Sequence, residues 1–225
     1  MIEHPAPADR ISLVLGTRNP KKRRELAELI APPWEPNLRL ARLDVWTLDD
    51  FPDAPEVDED APTFGGNARK KAAETALAIG RWVLADDSGL AVDALDGAPG
   101  VHSARYAGTH GDDAANNRKL INALADVPDA RRGAAFICAL ALADPGGTIH
   151  LETDGACRGR IARNGSGTSG FGYDPFFLIP EYHKTFGELS PLVKAQLSHR
   201  ARAFAQFRPA LDRLIAAGAF DRTGG

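Results

Sequence analysis

Four short stretches of the chain hold residue types that do chemistry. In WVLADDSGLAV, residues 82–92, an apolar run meets two adjacent carboxylates, Asp86 and Asp87, followed by Ser88 and Gly89. Two ionised carboxylates this close repel each other and lose hydration where the chain enters a core. A hard divalent cation removes both costs; Mg²⁺ takes oxygen ligands, usually one or two carboxylates with waters and substrate phosphates. The plainer alternative is an Asp-Asp-Ser-Gly turn, because Asp and Gly are good turn formers.

The second stretch is TRNPKKRRE, residues 17–25. It follows an apolar run and opens a helix, the junction at which α/β folds bind anions through free N–H groups and the positive end of the helix dipole. Thr17 and Asn19 offer side-chain hydrogen bonds, Arg18, Pro20 and Lys21 complete the turn, and Lys22 sits one turn into the helix, within reach of a phosphate. There is no GxxxxGK[ST] loop, and a capped surface helix with a basic face fits these residues as well. The third stretch is GFGYDP, residues 170–175. Its glycines let backbone approach a ligand, and Phe171 and Tyr173 offer flat faces for stacking a base; a loop whose aromatics enter the core is the alternative. In the fourth, His199 and Arg200 open a helix, the end that disfavours cations, which suggests another use for them, with Lys194 just upstream. The acidic run 56–60 and the helix-borne Lys70 and Lys71 read first as solvated charge.

These residues need a scaffold. The apolar run 11–17 reads as a buried strand, and 19–31 as a helix capped by Asn19 with Pro20 in its first turn, stopped at Pro32-Pro33-Trp34. Alternation at 38–46 gives a strand, 47–62 a loop, and the alanine-rich 66–80, bounded by glycines, a helix. Two strand pieces are expected around Asp86-Asp87-Ser88-Gly89, then a loop, a helix over 112–127, and paired strands at 134–144 and 147–161. A glycine-rich loop at 165–175, a short strand FFLIP, a short helix capped by Ser190 and a final helix capped by Ser198, with Phe204, Phe207, Leu211, Leu214 and Ile215 at helical spacing, complete the chain. Helices and strands that alternate early and pair locally later imply an α/β fold with a mixed sheet.

The chain of 225 residues, 44% hydrophobic and 25% charged, suits one large α/β domain or two small lobes. A net charge of −3 gives no general attraction to nucleic acid or anionic membrane. No stretch has the apolar length that crosses a membrane, and residues 1–10 lack the apolar centre of a secretory signal. Cys138 and Cys157, without a CxxC spacing, read as buried reduced thiols, so a cytoplasmic location is expected.

In order along the chain, TxNxxKxxE, TF..NA, ADDSGLAVDALDGAPGVHSARYAG, GFGYDP and SHR are together far more specific than apart. The set resembles the inosine triphosphate pyrophosphatase family, the non-canonical purine NTP (dITP/XTP) pyrophosphatases, over about residues 11–216. The resemblance implies a long central mixed sheet flanked by helices, two lobes around a deep nucleotide-binding cleft, and a homodimer. It places one two-lobed domain at 11–218 between tails at 1–10 and 219–225. The implied reaction is Mg²⁺-dependent hydrolysis of ITP, dITP and XTP to the monophosphate and pyrophosphate, cleansing the nucleotide pool. Carried over by motif, Thr17, Arg18, Asn19, Pro20, Lys21 and Lys22 form the phosphate-binding turn, and Lys71 makes a second phosphate contact. Glu59, four residues before Thr63, and Asp87 hold the metal, with Asp87 also the catalytic acid/base and Ser88 beside it. Phe171, Gly172, Tyr173 and Asp174 form the base-binding loop, and Lys194, His199 and Arg200 contact substrate. Arg18 and Gly66 depart from the family's usual residues, a small one in the first turn and a glutamate before Asn67.

Overall fold

Two parallel strand pairings organise the first half of the chain. The computed structural model describes residues 10–30 and 40–220. The tails, the Pro32-Pro33-Trp34 helix stop and the start of the 38–46 strand lie wholly or largely outside those residues. Strand β1 (Ile11–Leu15) pairs in parallel with β2 (Leu43–Thr47) and with β3 (Trp82–Val92), with Leu13 opposite both Val45 and Trp82. Helix α1 (Pro20–Ile30) connects β1 to β2, and α2 (Phe64–Ile79) precedes β3. After α3 (Asp113–Ala123) come β4 (Gly133–Ala143) and β5 (Ile149–Ile161), then β6 (Phe177–Ile179), β7 (Lys184–Thr185), α4 (Pro191–Leu197) and α5 (His199–Ala216). The sheet has seven strands in the order β2-β1-β3-β4-β5-β6-β7, and the β5–β6 and β6–β7 pairings are antiparallel. The α/β class and the mixed sheet expected from the sequence are both present.

The chain divides into two compact units. Among the described residues, the first comprises 10–30, 40–86, 139–154 and 203–220, the second 87–138 and 155–202. In the first, Ala68, Ala72 and Ala76 form a small-residue stripe on α2 that packs with Val14, Val83, Ala85, Ala139 and Ala141. Side chains of one carbon at i, i+4 and i+8 let a helix lie close on strands. Trp82, 4% exposed, packs against His150 and Phe220 with ring centroids 4.9 and 4.1 Å away. In the second unit, Leu90, Val92, Leu120, Leu124, Phe136, Phe177 and Phe186 form the core. The Arg132 guanidinium is buried there and donates to the carbonyls of Leu124 (2.6 Å), Ile161 (2.8 Å) and Ala162 (3.4 Å). Cys138 and Cys157 are buried and not joined in a disulfide, as expected.

Several elements differ from expectation for local reasons. Thr63 starts α2 earlier than the glycines suggested, its Oγ1 accepting from the Gly66 N–H at 3.0 Å. Helix α3 ends at Ala123, where the Leu124 N–H turns back onto the carbonyls of Leu120 and Ile121. The expected strand at 38–46 is a 3-10 turn at Leu40–Arg42 leading into β2.

The largest difference is in β3. Asp86-Asp87-Ser88-Gly89 is not a turn between two strand pieces: β3 runs unbroken for 11 residues through both acids. Gly89 serves close approach. A Cβ there would stand 2.7 Å from the Gly100 carbonyl oxygen and 2.9 Å from the Ser103 Cβ, and closer still to the Ser103 Oγ. Oγ itself accepts from the Leu90 N–H at 2.9 Å and donates to the Gly100 carbonyl at 2.6 Å. Gly89→Ala should therefore destabilise the fold by about 1–3 kcal/mol through overpacking. Adding Ser103→Ala should not restore it, because the backbone oxygen remains. Denaturant midpoints of the single and double variants measure this; a double variant as stable as wild type would place the crowding on Ser103 alone.

Candidate active site

In the first unit, Gly16 lets the β1–α1 turn lie flush against β3. A Cβ at Gly16 would meet Val83 Cγ1 at 2.9 Å and Ala85 Cβ at 3.2 Å, and the Gly16 N–H donates to the Leu84 carbonyl at 2.8 Å. Asn19 caps α1 as its sequence position predicts, its Oδ1 accepting from the N–H groups of Lys21 (3.0 Å) and Lys22 (3.2 Å) while its own N–H donates to Thr17 Oγ1 (3.2 Å). Pro20 is the first helical residue. One turn in, Lys22 Nζ lies 3.2 Å from Asp86 Oδ2, and the Asp86 side chain has no exposed surface. Arg18 points elsewhere, donating to the Ala54 carbonyl at 2.8 Å. That bond ties the turn to the following loop, a use consistent with its departure from a small residue.

A second lysine–carboxylate pair lies in the same unit. Lys71 Nζ donates to Glu59 Oε1 at 2.6 Å, both side chains largely buried. Burial alone would raise the Glu59 carboxyl; the Lys71 ammonium outweighs it by charge and hydrogen bond, and Lys22 adds to the pull, so the carboxyl is held below its ordinary value. Glu56 is exposed, and Asp60 pairs with Lys70 at the surface. Of the acids at 56–60, Glu59 is thus the half-buried one held by a lysine. Glu59 and Asp86 supply hard carboxylate oxygens, the donor class that Mg²⁺ takes. No group of three or more His, Cys, Asp or Glu side chains arranged to hold a metal occurs among the described residues, and Mg²⁺ commonly completes its shell with water and phosphate.

The second unit begins at Asp87. Its buried carboxylate is oriented by the Ser88 N–H, which donates to Oδ1 at 2.9 Å. Ser88 Oγ in turn accepts from Arg200 Nη2 at 2.8 Å. Arg200 is 3% exposed, and its guanidinium carbon lies 5.5 Å from the centroid of the Phe171 ring. Lys194 Nζ lies 5.0 Å from the same centroid and 2.7 Å from Asp174 Oδ2. The same Asp174 oxygen accepts from the Phe171 N–H at 2.8 Å. Phe171, Asp174, Lys194, Arg200 and Ser88 thus form one connected group.

Tyr173 sits differently from the stacking face the sequence offered, and His199 packs on an aromatic ring. Tyr173 belongs to the core cluster, and its hydroxyl donates to the Ser103 carbonyl at 2.9 Å. Burial pushes its phenol well above the ordinary tyrosine range. His199 stacks on Phe136, centroids 5.0 Å apart. Phe171, only partly buried, is the loop's remaining aromatic face. Two residues that the sequence left unremarked also touch the loop: Asp113 Oδ2 accepts from the Gly172 N–H at 2.9 Å, and Asn117 Nδ2 donates to the Gly172 carbonyl at 2.9 Å. Their signal in the sequence is only their spacing of four at the start of a helix.

Residues 13–210 match the Ham1 family. The chain belongs to that family. A relative in Rhodopirellula baltica named dITP/XTP pyrophosphatase is 57% identical over 203 residues, 90% of this chain and 94% of that protein. One so named in Desulforamulus reducens is 48% identical over 91% of this chain and 97% of its own length. Among solved structures, a HAM1 protein from Coxiella burnetii superposes with a TM-score of 0.79 at 36% identity, covering 90% of this chain and 99% of that one. A nucleoside-triphosphatase / dITP/XTP pyrophosphatase from Mycobacterium abscessus gives 0.70 at 43% identity, over 88% and 100%. The resemblance read from the ordered motifs is thereby borne out.

Within this Ham1 chain, the Lys71–Glu59 pair makes stability depend on pH with a definite sign. A carboxyl held low when folded adds stability that is complete above its unfolded value, near 4.5, and is lost as pH falls through the lower folded value. Lys71→Met removes the main pull on the Glu59 carboxyl and leaves Lys22 alone to oppose burial. The variant should therefore begin to take up a proton at Glu59 at higher pH than wild type. Carboxyl titration by NMR of both proteins, with Glu59→Gln to assign the resonance, checks this; an unmoved titration would remove Lys71 as the cause.

Proposed function

We propose that this chain is a Mg²⁺-dependent hydrolase that converts ITP, dITP and XTP to the monophosphate and pyrophosphate, consuming one water per phosphoanhydride broken. The observation that carries this reading is the pair of consecutive buried acids in β3, with Lys22 of the α1 opening at the first. The names of the relatives in the same family support the substrate class. Glu59 and Asp87 would hold the metal, which supplies charge neutralisation on the phosphates when bound. Thr17, Asn19, Lys22 and Lys71 would take phosphate oxygens; both lysines would then exchange a carboxylate partner for an anion of higher charge. Asp87, its Oδ1 oriented by the Ser88 N–H, would orient or deprotonate the attacking water. Pro20, Lys21 and Arg18 keep the turn in shape.

At the other end of the nucleotide, Phe171 supplies a stacking face and Arg200 a group that only donates. A donor aimed at position 6 of a purine favours the oxo group of inosine and xanthosine over the amino group of adenine, which leaves two donors facing each other. Lys194 and Asp174 brace that arrangement, with Tyr173 and His199 as its packed base. With the family we also propose a homodimer in the cytoplasm; no helix among the described residues is long and apolar enough to cross a membrane.

The reaction is tested by incubating the protein with ITP and Mg²⁺. IMP should form, and orthophosphate should appear only after an added pyrophosphatase; IDP as the main early product would overturn the reading. Asp87→Asn should lower kcat by about 10²-fold or more while keeping the fold, as loss of a general base does. Wild-type turnover in that variant would remove Asp87 from catalysis. Arg200→Ala should cut kcat/KM for ITP by a much larger factor than for ATP, whereas Lys22→Ala should reduce both alike. Equal losses from Arg200→Ala would assign base readout to another group.

A further inference from the structure

Helix α3 grips one residue of the base loop by both of its backbone groups. Asp113 and Asn117 are four apart and so share a face of α3. The first accepts the Gly172 N–H and the second donates to the Gly172 carbonyl, each at 2.9 Å. Gly172 lies in the left-handed region with φ 60°, a conformation with no intrahelical or ladder partner to secure it. Phe171, immediately before it, is secured by Asp174 through its own N–H. The loop backbone is therefore fixed from two sides, by Asp174 and by α3.

The grip is a poor device for stability alone. Asn117 Oδ1 is buried with no hydrogen-bond partner among the described residues. With only its amide engaged by protein, Asn117 contributes one ordinary hydrogen bond. An alanine here would lose that bond but gain helix propensity, so the two effects offset each other. What the two side chains do secure is the pitch of the peptides on either side of Gly172: Asp113 holds the Phe171–Gly172 peptide by its N–H, and Asn117 holds the Gly172–Tyr173 peptide by its carbonyl. That matters because the Arg200 guanidinium lies 5.5 Å from the Phe171 ring centroid, and such contacts fade beyond about 6 Å. A modest rotation of either peptide would part the ring from the guanidinium.

We infer that Asp113 and Asn117 are positioning residues that hold Phe171 in register with Arg200 and thereby set purine affinity and 6-oxo preference. The inference rests on the base-recognition role proposed above for Phe171 and Arg200.

The test compares wild type with Asn117→Ala, Asn117→Asp, Asp113→Ala and Asp113→Asn. It uses steady-state kinetics on ITP and ATP, calorimetric binding of IMP, and thermal denaturation. Asn117→Ala should raise both KM for ITP and Kd for IMP about three- to ten-fold, the factor carried by one hydrogen bond of ordinary net strength. Its kcat should stay within about two-fold, because the reacting groups are untouched, and KM for ATP should move less than KM for ITP. Its Tm should not fall. Asn117→Asp, which sets an acceptor against the Gly172 carbonyl, should weaken IMP at least as much. Asp113→Ala should weaken IMP too, and Asp113→Asn, which keeps an acceptor oxygen, should recover most of that loss. A lower Tm for Asn117→Ala with KM and Kd unchanged would overturn the inference and leave only a structural brace. If wild type releases no pyrophosphate from ITP but binds IMP, and Asn117→Ala weakens that binding, the proposed reaction fails and the inference stands. If wild type turns over ITP and Asn117→Ala matches it in KM and Kd, the inference alone fails. A wild-type chain that neither turns over ITP nor binds IMP overturns both.

Discussion

A carboxylate with no exposed surface sits at Asp86, in the middle of a strand, and the first unit is arranged around keeping it charged. Removing an ion from water costs several kcal/mol unless an opposite charge stands close. Lys22 supplies that charge at 3.2 Å, and its placement depends on a sequence of smaller constraints. Gly16 must lack a Cβ for the turn to lie against Val83 and Ala85, Asn19 must cap the helix at its first turn, and β1 must run parallel beside β3 for the helix to open at the acid's end.

If the lysine–carboxylate pairs receive a polyphosphate as proposed, they would do so without leaving buried ions exposed to one another. In Lys22–Asp86 and Lys71–Glu59 each cation is neutralised before any ligand arrives. A metal-bound triphosphate brings both signs of charge, so each member of a pair would meet a new partner of the right sign. The net desolvation change is then small, which favours a binding energy set by geometry and not by raw attraction.

Much of this was legible in the sequence, and the parts that were not share a cause. Asn19-Pro20 announced the helix start because capping is local. The alanine-rich run 66–80 between glycines announced α2, and the alternating exposure of β5 agrees with a strand read from the same residues. The failures came where one residue type serves two purposes. Gly89 reads as a turn residue, yet its need is room beside Ser103 and Gly100, more than ten positions away. Phe171 and Tyr173 read alike as stacking faces; only the distant Ser103 carbonyl decides that Tyr173 belongs inside. Asp113 and Asn117 looked like an unremarkable helix opening because their partner, Gly172, lies 59 and 55 residues onward. The α/β class and the α1 cap follow from short-range chemistry, whereas the 170–175 loop is made by long-range contacts.

The division into two units has an optical consequence. The chain's three tryptophans, at 34, 46 and 82, all precede residue 87, and its three tyrosines, Tyr106, Tyr173 and Tyr182, all fall within 87–138 or 155–202. Indole and phenol absorb at different wavelengths, so the unmodified protein carries one kind of chromophore in each unit. Light at the red edge of the near-ultraviolet band excites the first unit alone, and Trp82, buried against His150 and Phe220, emits from a dry environment there. Near-ultraviolet dichroism at shorter wavelength carries the packed Tyr173 ring together with the indoles. The melting of the first unit can thus be followed by itself in an unlabelled sample, and its comparison with the dichroism of the whole chain would reveal whether the units lose structure together or in turn.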